Sequence, residues 1–334
     1  MGRRLAAVVV LSLAGSPSVA AVCVIGDMPS YLWYHGCDPT AGGMIVGYWD
    51  AHGFGDLIDG GTDGQSSPAA VADMIASPGH IRDYVPTPDR TATAADPYHP
   101  DDCLADFMGT SRGQLAHGDS YDSKQATGLA AYFAYRGYAD VRSYSQYVWS
   151  LWEVFTASID AGRPVELYVD RNGDGLADHF VAAFGYDDTD PASRRYFCYN
   201  TDDHVARWYG FAPAAAGRPW GVWAGTLLDP GPIPGDADAD GDVDCGDYLA
   251  AKRHLGAAGG AAWSDGDFDG DGDVDAADLG RLAENFGMDI RPGRAGGTGP
   301  TAPEPATGAL LLAPAGLVLL TARRRPMRSP MTRP

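Results

Sequence analysis

Two stretches, DADADGDVDCGDYLAAKRHLG (236–256) and DFDGDGDVDAADLGRLAENFG (267–287), repeat at an offset of 31 residues, each an aspartate-rich loop running into a short amphipathic segment. In the first, Asp236, Asp238, Asp240, Asp244 and Asp247 stand at positions 1, 3, 5, 9 and 12, with Gly241 at position 6. In the second, Asp267, Asp269, Asp271, Asp275 and Asp278 do the same around Gly272. Asp242 and Asp273, at position 7, are counted with them as metal ligands. Calcium is hard and takes about six to eight oxygens, so alternating carboxylates on a tight loop cage it, and the glycine allows the sharp turn. Like charges packed this closely are costly without a cation, which makes calcium part of the fold of this segment. Val243 and Val274, at position 8, set the loops apart from a disordered acidic linker.

Aspartate at position 12, where an EF-hand carries glutamate, and one helix after each loop make residues 236–287 resemble dockerin modules. The resemblance implies a cohesin-like domain as partner. Cys245 departs from the small polar residue usual at position 10, which leaves a cross-link or a surface thiol open. A third, partial loop, VDRNGDGLADH, sets Asp170, Asn172, Asp174, Gly175 and Asp178 at positions 1, 3, 5, 6 and 9, with Val181 at position 12. It suits either calcium or a polar hairpin turn through Asn172-Gly173-Asp174-Gly175.

The ends carry their own signals. MGRRLAAVVVLSLAGSPSVAA (1–21) places two arginines before an apolar run that finishes in small residues, the layout of a secretory signal. A lipoprotein reading through Cys23 is disfavoured by Val22 just before it. PEPATGALLLAPAGLVLLTARRR (303–325) joins Pro-Glu-Pro to an apolar run and three arginines, ahead of a basic tail at 326–334. That order resembles the PEP-CTERM sorting signal, which implies processing by an exosortase and membrane insertion through the hydrophobic segment until it is cut. The chain is thus expected to be exported, to the cell envelope or beyond. Net charge is −20, from 44 acidic and 24 basic residues, which disfavours nucleic acid as a partner. Five widely spaced cysteines are no disulfide framework, although Cys103 with Cys198, or Cys23 with Cys37, are open to pairing.

Residues 22–229 are the only part long enough for a large core, and GPIPG (231–235) separates them from the repeat at 235–288. A linker is expected over 289–302, in the Gly- and Pro-rich stretch RPGRAGGTGPTAP that runs up to Pro303. Helical spacing follows Cys37 in GMIVGYWDAHG and recurs in SKQATGLAAYFAYRG (123–137) and WSLWEVFTASIDAG (149–162). Strand patterns follow in RPVELYVD, DHFVAAFGYDD, SRRYFCYNTDD and PWGVWAGTLL. Helices first and strands later predict an α+β domain with an antiparallel sheet, followed by a small α-helical calcium-loop module.

Cys37 opens the first of those helices, where the helix dipole favours a thiolate. A proton acceptor is then needed. His179 begins an alternating strand, and the next strand ends in Asn200 with Asp202 two residues on, either of which can orient the imidazole. HGCDPTAGGMIVGYWD, with its G-C-x-P-T-A core, and DHFVAAFGYDD resemble the cysteine and histidine motifs of papain-like peptidases of the bacteriocin-processing type, over roughly 25–210. The resemblance implies a papain-like fold, with Cys37 as nucleophile, His179 as general base and acid, Asn200 as orienting residue with Asp202 behind it, and a protein or peptide as substrate.

One departure matters. MPSYLWYHG, before the cysteine, contains no glutamine to hold the oxyanion, a loss that typically costs about a hundred- to a thousandfold in rate. The Cys37 backbone N–H, Tyr31, Tyr34 and His35 are the substitutes in sequence reach. A non-catalytic envelope or adhesion scaffold is therefore the rival reading, and an amidase or transferase using the same Cys-His pair stays open. No H-E-x-x-H, paired C-x-x-C or G-x-S-x-G supports a zinc or serine hydrolase.

Overall fold

The structure is a computed structural model and describes residues 21–60, 68–85, 98–113, 115–139, 141–291 and 293–295. The expected secretory segment (1–20), most of the linker and the sorting segment at 303–325 lie outside these residues. Among the described residues no helix is long and apolar enough to cross a membrane.

Helix α1 (Cys37–Asp50) is the centre of the larger domain, with every residue from Asp38 to Asp50 buried. A helix apolar on all sides belongs in a core rather than on a surface. Glycines let its neighbours come close: a Cβ on Gly47 would collide with the Tyr31 hydroxyl, and one on Gly42 would lie 2.8 Å from Met108. Helices α2 (Pro68–Ile75), α3 (Pro78–Tyr84), α4 (Leu104–Met108), α5 (Gln125–Tyr135) and α6 (Leu151–Asp160) complete the helical part. Helix α3 starts on the Ser77 side chain, which accepts from the His80 N–H, with Pro78 in the first turn.

The strands are β1 (Val22–Val24), β2 (Arg142–Tyr147), β3 (Val165–Asp170), β4 (His179–Asp187), β5 (Arg195–Tyr199), β6 (Arg207–Gly210), β7 (Gly221–Asp229) and β8 (Gly293–Ala295). Their pairings are antiparallel, in the order β2-β7-β3-β4-β1-β8, with β5 on β4 and β6 on β5. Nine consecutive buried residues make β4 the hub, since it meets β1, β3 and β5. The expected α+β class with an antiparallel sheet is what the chain adopts. Large side chains such as Trp49, Tyr132 and Phe155 are at most 2% exposed, each worth about 1.5–3 kcal/mol relative to exposure.

The aspartate repeat forms two loop–helix units, ending in α7 (Cys245–His254) and α8 (Ala276–Asn285). Its core is small: Ile233, Ala237, Val243, Ala251, Phe268 and Leu282. Val243 and Val274 are fully buried, as their position in the loops predicts. The module is clasped to the larger domain, because β1 lies between β4 and β8 and the carbonyl of Ile290 packs against Gly162. All five cysteines are free thiols, so neither open pairing forms. Cys23, Cys103 and Cys198 are instead buried, and the Cys103 thiol donates to Asp106 at 3.1 Å.

Candidate active site

Gly36, with φ of 156°, turns the chain into α1 at a point where a Cβ would lie 2.9 Å from both Pro39 and Thr110. Thr40 closes the turn, its hydroxyl donating to the Gly36 carbonyl at 2.6 Å. The turn fixes Cys37 as the first residue of α1, half-buried, with its thiol against the backbone N–H of Phe180. Phe180 directly follows His179, so α1 and the start of β4 bring the two motifs together. Burial, aided by the charges of Asp38 and Glu166, pushes the thiol up to about 12, and the backbone N–H groups of Phe180 and Asp38 oppose the shift only in part. At rest Cys37 is a thiol.

His179 is 5% exposed, and its Nε2 donates to the backbone carbonyl of Asn200 at 2.8 Å. A carbonyl can only accept, so Nε2 carries the proton and Nδ1 keeps its lone pair. Burial holds the ring below the usual histidine range, keeping it neutral and basic at Nδ1. The Thr201 hydroxyl lies 3.5 Å from Nε2 and the Trp220 ring meets the imidazole edge-on at 6.0 Å. Asn200 thus meets His179 through its main chain. Its side chain turns to Asp202, donating from Nδ2 at 3.3 Å, and Asp202 in turn pairs with Arg171 at 2.9 Å. Thr201 and Trp220 both take left-handed backbone, with φ of 65° and 66°. Strain of this kind marks positions held by their surroundings.

Of the substitutes for the missing glutamine, Tyr31 is out of place. Its hydroxyl packs on Gly47, ten residues and so about 15 Å along α1 from Cys37. His35 precedes Gly36 with φ of 54°, its Nδ1 sharing a proton with His117 Nε2 at 3.3 Å. Tyr34 is tied there by its backbone N–H, which donates to Thr40 at 3.0 Å.

The sequence reading missed two acids. Asp38 and Glu166 are 0% and 1% exposed and face each other. The side chains of Ser120 and Gln125 approach the Asp38 carboxyl and the Gly42 backbone N–H approaches Glu166, yet burial outweighs these donors and favours a proton held between the two acids. Burial lifts Asp38 to about 7 and raises Glu166 well above the usual carboxylate range. The available signal was an acid, Glu166, between apolar residues in VELYVD, a strand apolar enough up to its terminal Asp170 for burial on both faces.

The aspartate loops fit calcium. Gly241 and Gly272 take φ of 93° and 88° at the turn. Carboxylate oxygens of Asp236, Asp238 and Asp247 converge within 4.8 Å, as do those of Asp267, Asp269 and Asp271. Asp247 and Asp278 are 2% and 0% exposed, each oxygen taking a backbone N–H and retaining a second lone pair for the metal. Asp244 and Asp275 also cap α7 and α8. Asp242 pairs with Arg291. In the partial loop, Asp170 is buried and accepts from the N–H groups of Gly173, Asp174 and Gly175.

Residues 25–215 match the Peptidase_C39 like family, and residues 234–287 match the Dockerin type I domain. Curated proteins and solved structures give no match. The first match spans more than half of the 334 residues, and the second covers both aspartate loops with α7 and α8. The chain belongs to the Peptidase_C39 like family and carries, after that domain, a calcium-binding Dockerin type I domain.

Proposed function

We propose that the protein is an exported cysteine peptidase held in place by its dockerin. The observation that carries this is the His179–Asn200 hydrogen bond of 2.8 Å, which leaves Nδ1 as the proton acceptor next to the Phe180 amide that faces the Cys37 thiol. Nδ1 takes the thiol proton as sulfur attacks the scissile carbonyl carbon, and the oxyanion is received by the Cys37 backbone N–H at the head of α1. His179 then returns the proton to the leaving amine as the C–N bond breaks. Water, deprotonated at Nδ1, hydrolyses the thioester and frees Cys37. A hollow of about 440 Å³ beside Tyr168 and Phe180, bordered by Tyr144, Tyr147 and Trp223, suits an extended peptide with aromatic or apolar side chains.

Calcium, when bound, supplies the cross-link that orders the two loops, while Asp236 to Asp247 and Asp267 to Asp278 hold it. A cohesin domain is the expected partner of the dockerin, and Tyr248, Leu249 and Phe286 stand exposed on or beside its helices. An exosortase acting on 303–325 would deliver the chain to the envelope. Incubating the calcium-loaded protein with a broad peptide library tests the main reading: products must appear with wild type and vanish with Cys37→Ala. A non-catalytic scaffold is the second reading, favoured by the raised Cys37 thiol and the absent glutamine; identical library profiles for the two proteins would establish it.

A further inference from the structure

The turn before Cys37 is held from outside by a pair of histidines. His35, two residues ahead of the cysteine, sits in the left-handed region with φ of 54°, and Gly36 follows with φ of 156°. Glycine would take the conformation of His35 without strain, so the histidine stays there for what its ring does. Its Nδ1 lies 3.3 Å from His117 Nε2, and the ring meets Tyr34 edge-on at 4.4 Å. Trp33 packs on both imidazoles, at 6.5 Å from His35 and 5.8 Å from His117. His117 is fixed from behind by the next residue, Gly118, which donates its N–H to the Ser111 hydroxyl at 2.9 Å. A Cβ on Gly118 would lie 3.0 Å from Trp33 and 3.6 Å from the Gly36 Cα. Two segments 82 residues apart in the chain are thus joined at the turn.

We propose, on the reading of Cys37 as nucleophile, that His35 is a positioning residue anchored by His117: the bonded pair holds the turn that aims the Cys37 backbone N–H at the oxyanion. The peptide plane carrying that N–H lies between Gly36 and Cys37, and being rigid it turns as one piece with the chain before it. A turn free to relax at His35 and Gly36 carries the donor away from the oxyanion. Neither imidazole needs to touch the substrate for this, and the effect falls on the chemical step rather than on binding.

The contact between the rings needs one proton between the facing nitrogens, one ring donating and the other accepting. One further proton, on the outer nitrogen of the donor ring, keeps the bond; a second sets two N–H groups against each other. The titratable groups that face His35 are Tyr34, His117 and, from α3, His80. Burial, with the charges of His117 and His80, holds His35 below the usual histidine range. The folded state thus binds this proton less readily than the unfolded one. The bond stands at neutral pH and is lost as pH falls through the lowered value.

The test uses the whole calcium-loaded protein with His117→Ala and His117→Gln, changes at an exposed position that spare folding. The glutamine amide bonds His35 without titrating. For a peptide that wild type cleaves, His117→Ala should lower kcat by about tenfold or more with KM within about twofold, and His117→Gln should keep kcat within about threefold. Hydrogen exchange at the Gly36 and Cys37 amides, corrected for intrinsic rates, reads the turn without needing activity. It should be about tenfold faster or more in His117→Ala at neutral pH. On acidification it should rise in wild type and stay level in His117→Gln. A wild type that cleaves no peptide removes the peptidase reading, and exchange alone then decides whether the pair holds the turn. Unchanged kcat or unchanged exchange in His117→Ala, a His117→Gln protein as impaired as His117→Ala, or a rise in KM with kcat intact would each overturn the role of His35.

Discussion

Asp38 and Glu166 meet as two buried carboxyl groups, the first of them the residue that follows Cys37 in α1. Two anions cannot share such a space, so the pair retains a proton well above the usual carboxylate range. Asp38 titrates near 7 when folded and near 3.8 when unfolded. A folded value raised above the unfolded one means the folded state binds more protons. Its contribution is therefore present at low pH and lost as pH rises between those two values.

Glu166→Gln should flatten that dependence. Its amide donates to the Asp38 carboxylate without needing a proton. With calcium saturating, wild type should lose up to ~1.4 kcal/mol per pH unit from this pair between pH 4 and 7 relative to the variant, read from denaturant midpoints. Parallel curves for the two proteins would refute the shared proton.

Alkylation should find Cys37 sluggish. The thiol at about 12 contrasts with Cys245, which is exposed at the start of α7. Mass spectrometry after iodoacetamide at neutral pH should show Cys245 modified at least about tenfold faster, because the thiolate is the reacting form. A Cys37 that labels first, with an acidic titration lost in His179→Ala, would mean a resting ion pair and an error in the burial argument.

How far the sequence carried depended on whether a signal was local. Helix α1 and the Cys37 and His179 motifs were readable because periodicity and a handful of adjacent residues specify them. Helices α2 to α4 were not, although Ser77-Pro78 is a recognisable helix start, because helices of five to eight residues span too few turns to show periodicity. Strand β2 hid for the same reason: RSYSQY has no apolar alternation and is stitched only to β7. Asn200 stands beside His179 but presents its carbonyl rather than its side chain, since sequence cannot tell which atom a fold presents. Tyr31 looked near Cys37 in sequence and folds onto Gly47 instead.

That change of atom has its own consequence. A side-chain orienting residue is destroyed by truncation, whereas a backbone carbonyl survives it. Asn200→Ala should leave peptide hydrolysis within about tenfold of wild type, while His179→Ala should lower it by about a hundred- to ten-thousandfold. Equal losses would return the orienting role to the Asn200 side chain.

Calcium removal should separate the two domains in stability. The module's core cluster holds six buried apolar residues beside twelve loop aspartates that repel one another, so the ion is what offsets that repulsion. The larger domain has its own sheet and the α1 core, and among the described residues its one strand partner from beyond the module is β8 on β1. EDTA should therefore abolish the helical signal of α7 and α8 and open residues 235–288 to proteolysis, leaving the fragment 22–229 resistant. Asp267→Ala should do the same at intermediate calcium, since Asp267 takes the N–H groups of Gly270 and Gly272 that shape its loop. A circular dichroism spectrum and digestion pattern unmoved by EDTA would show that the loops fold on hydrogen bonds alone.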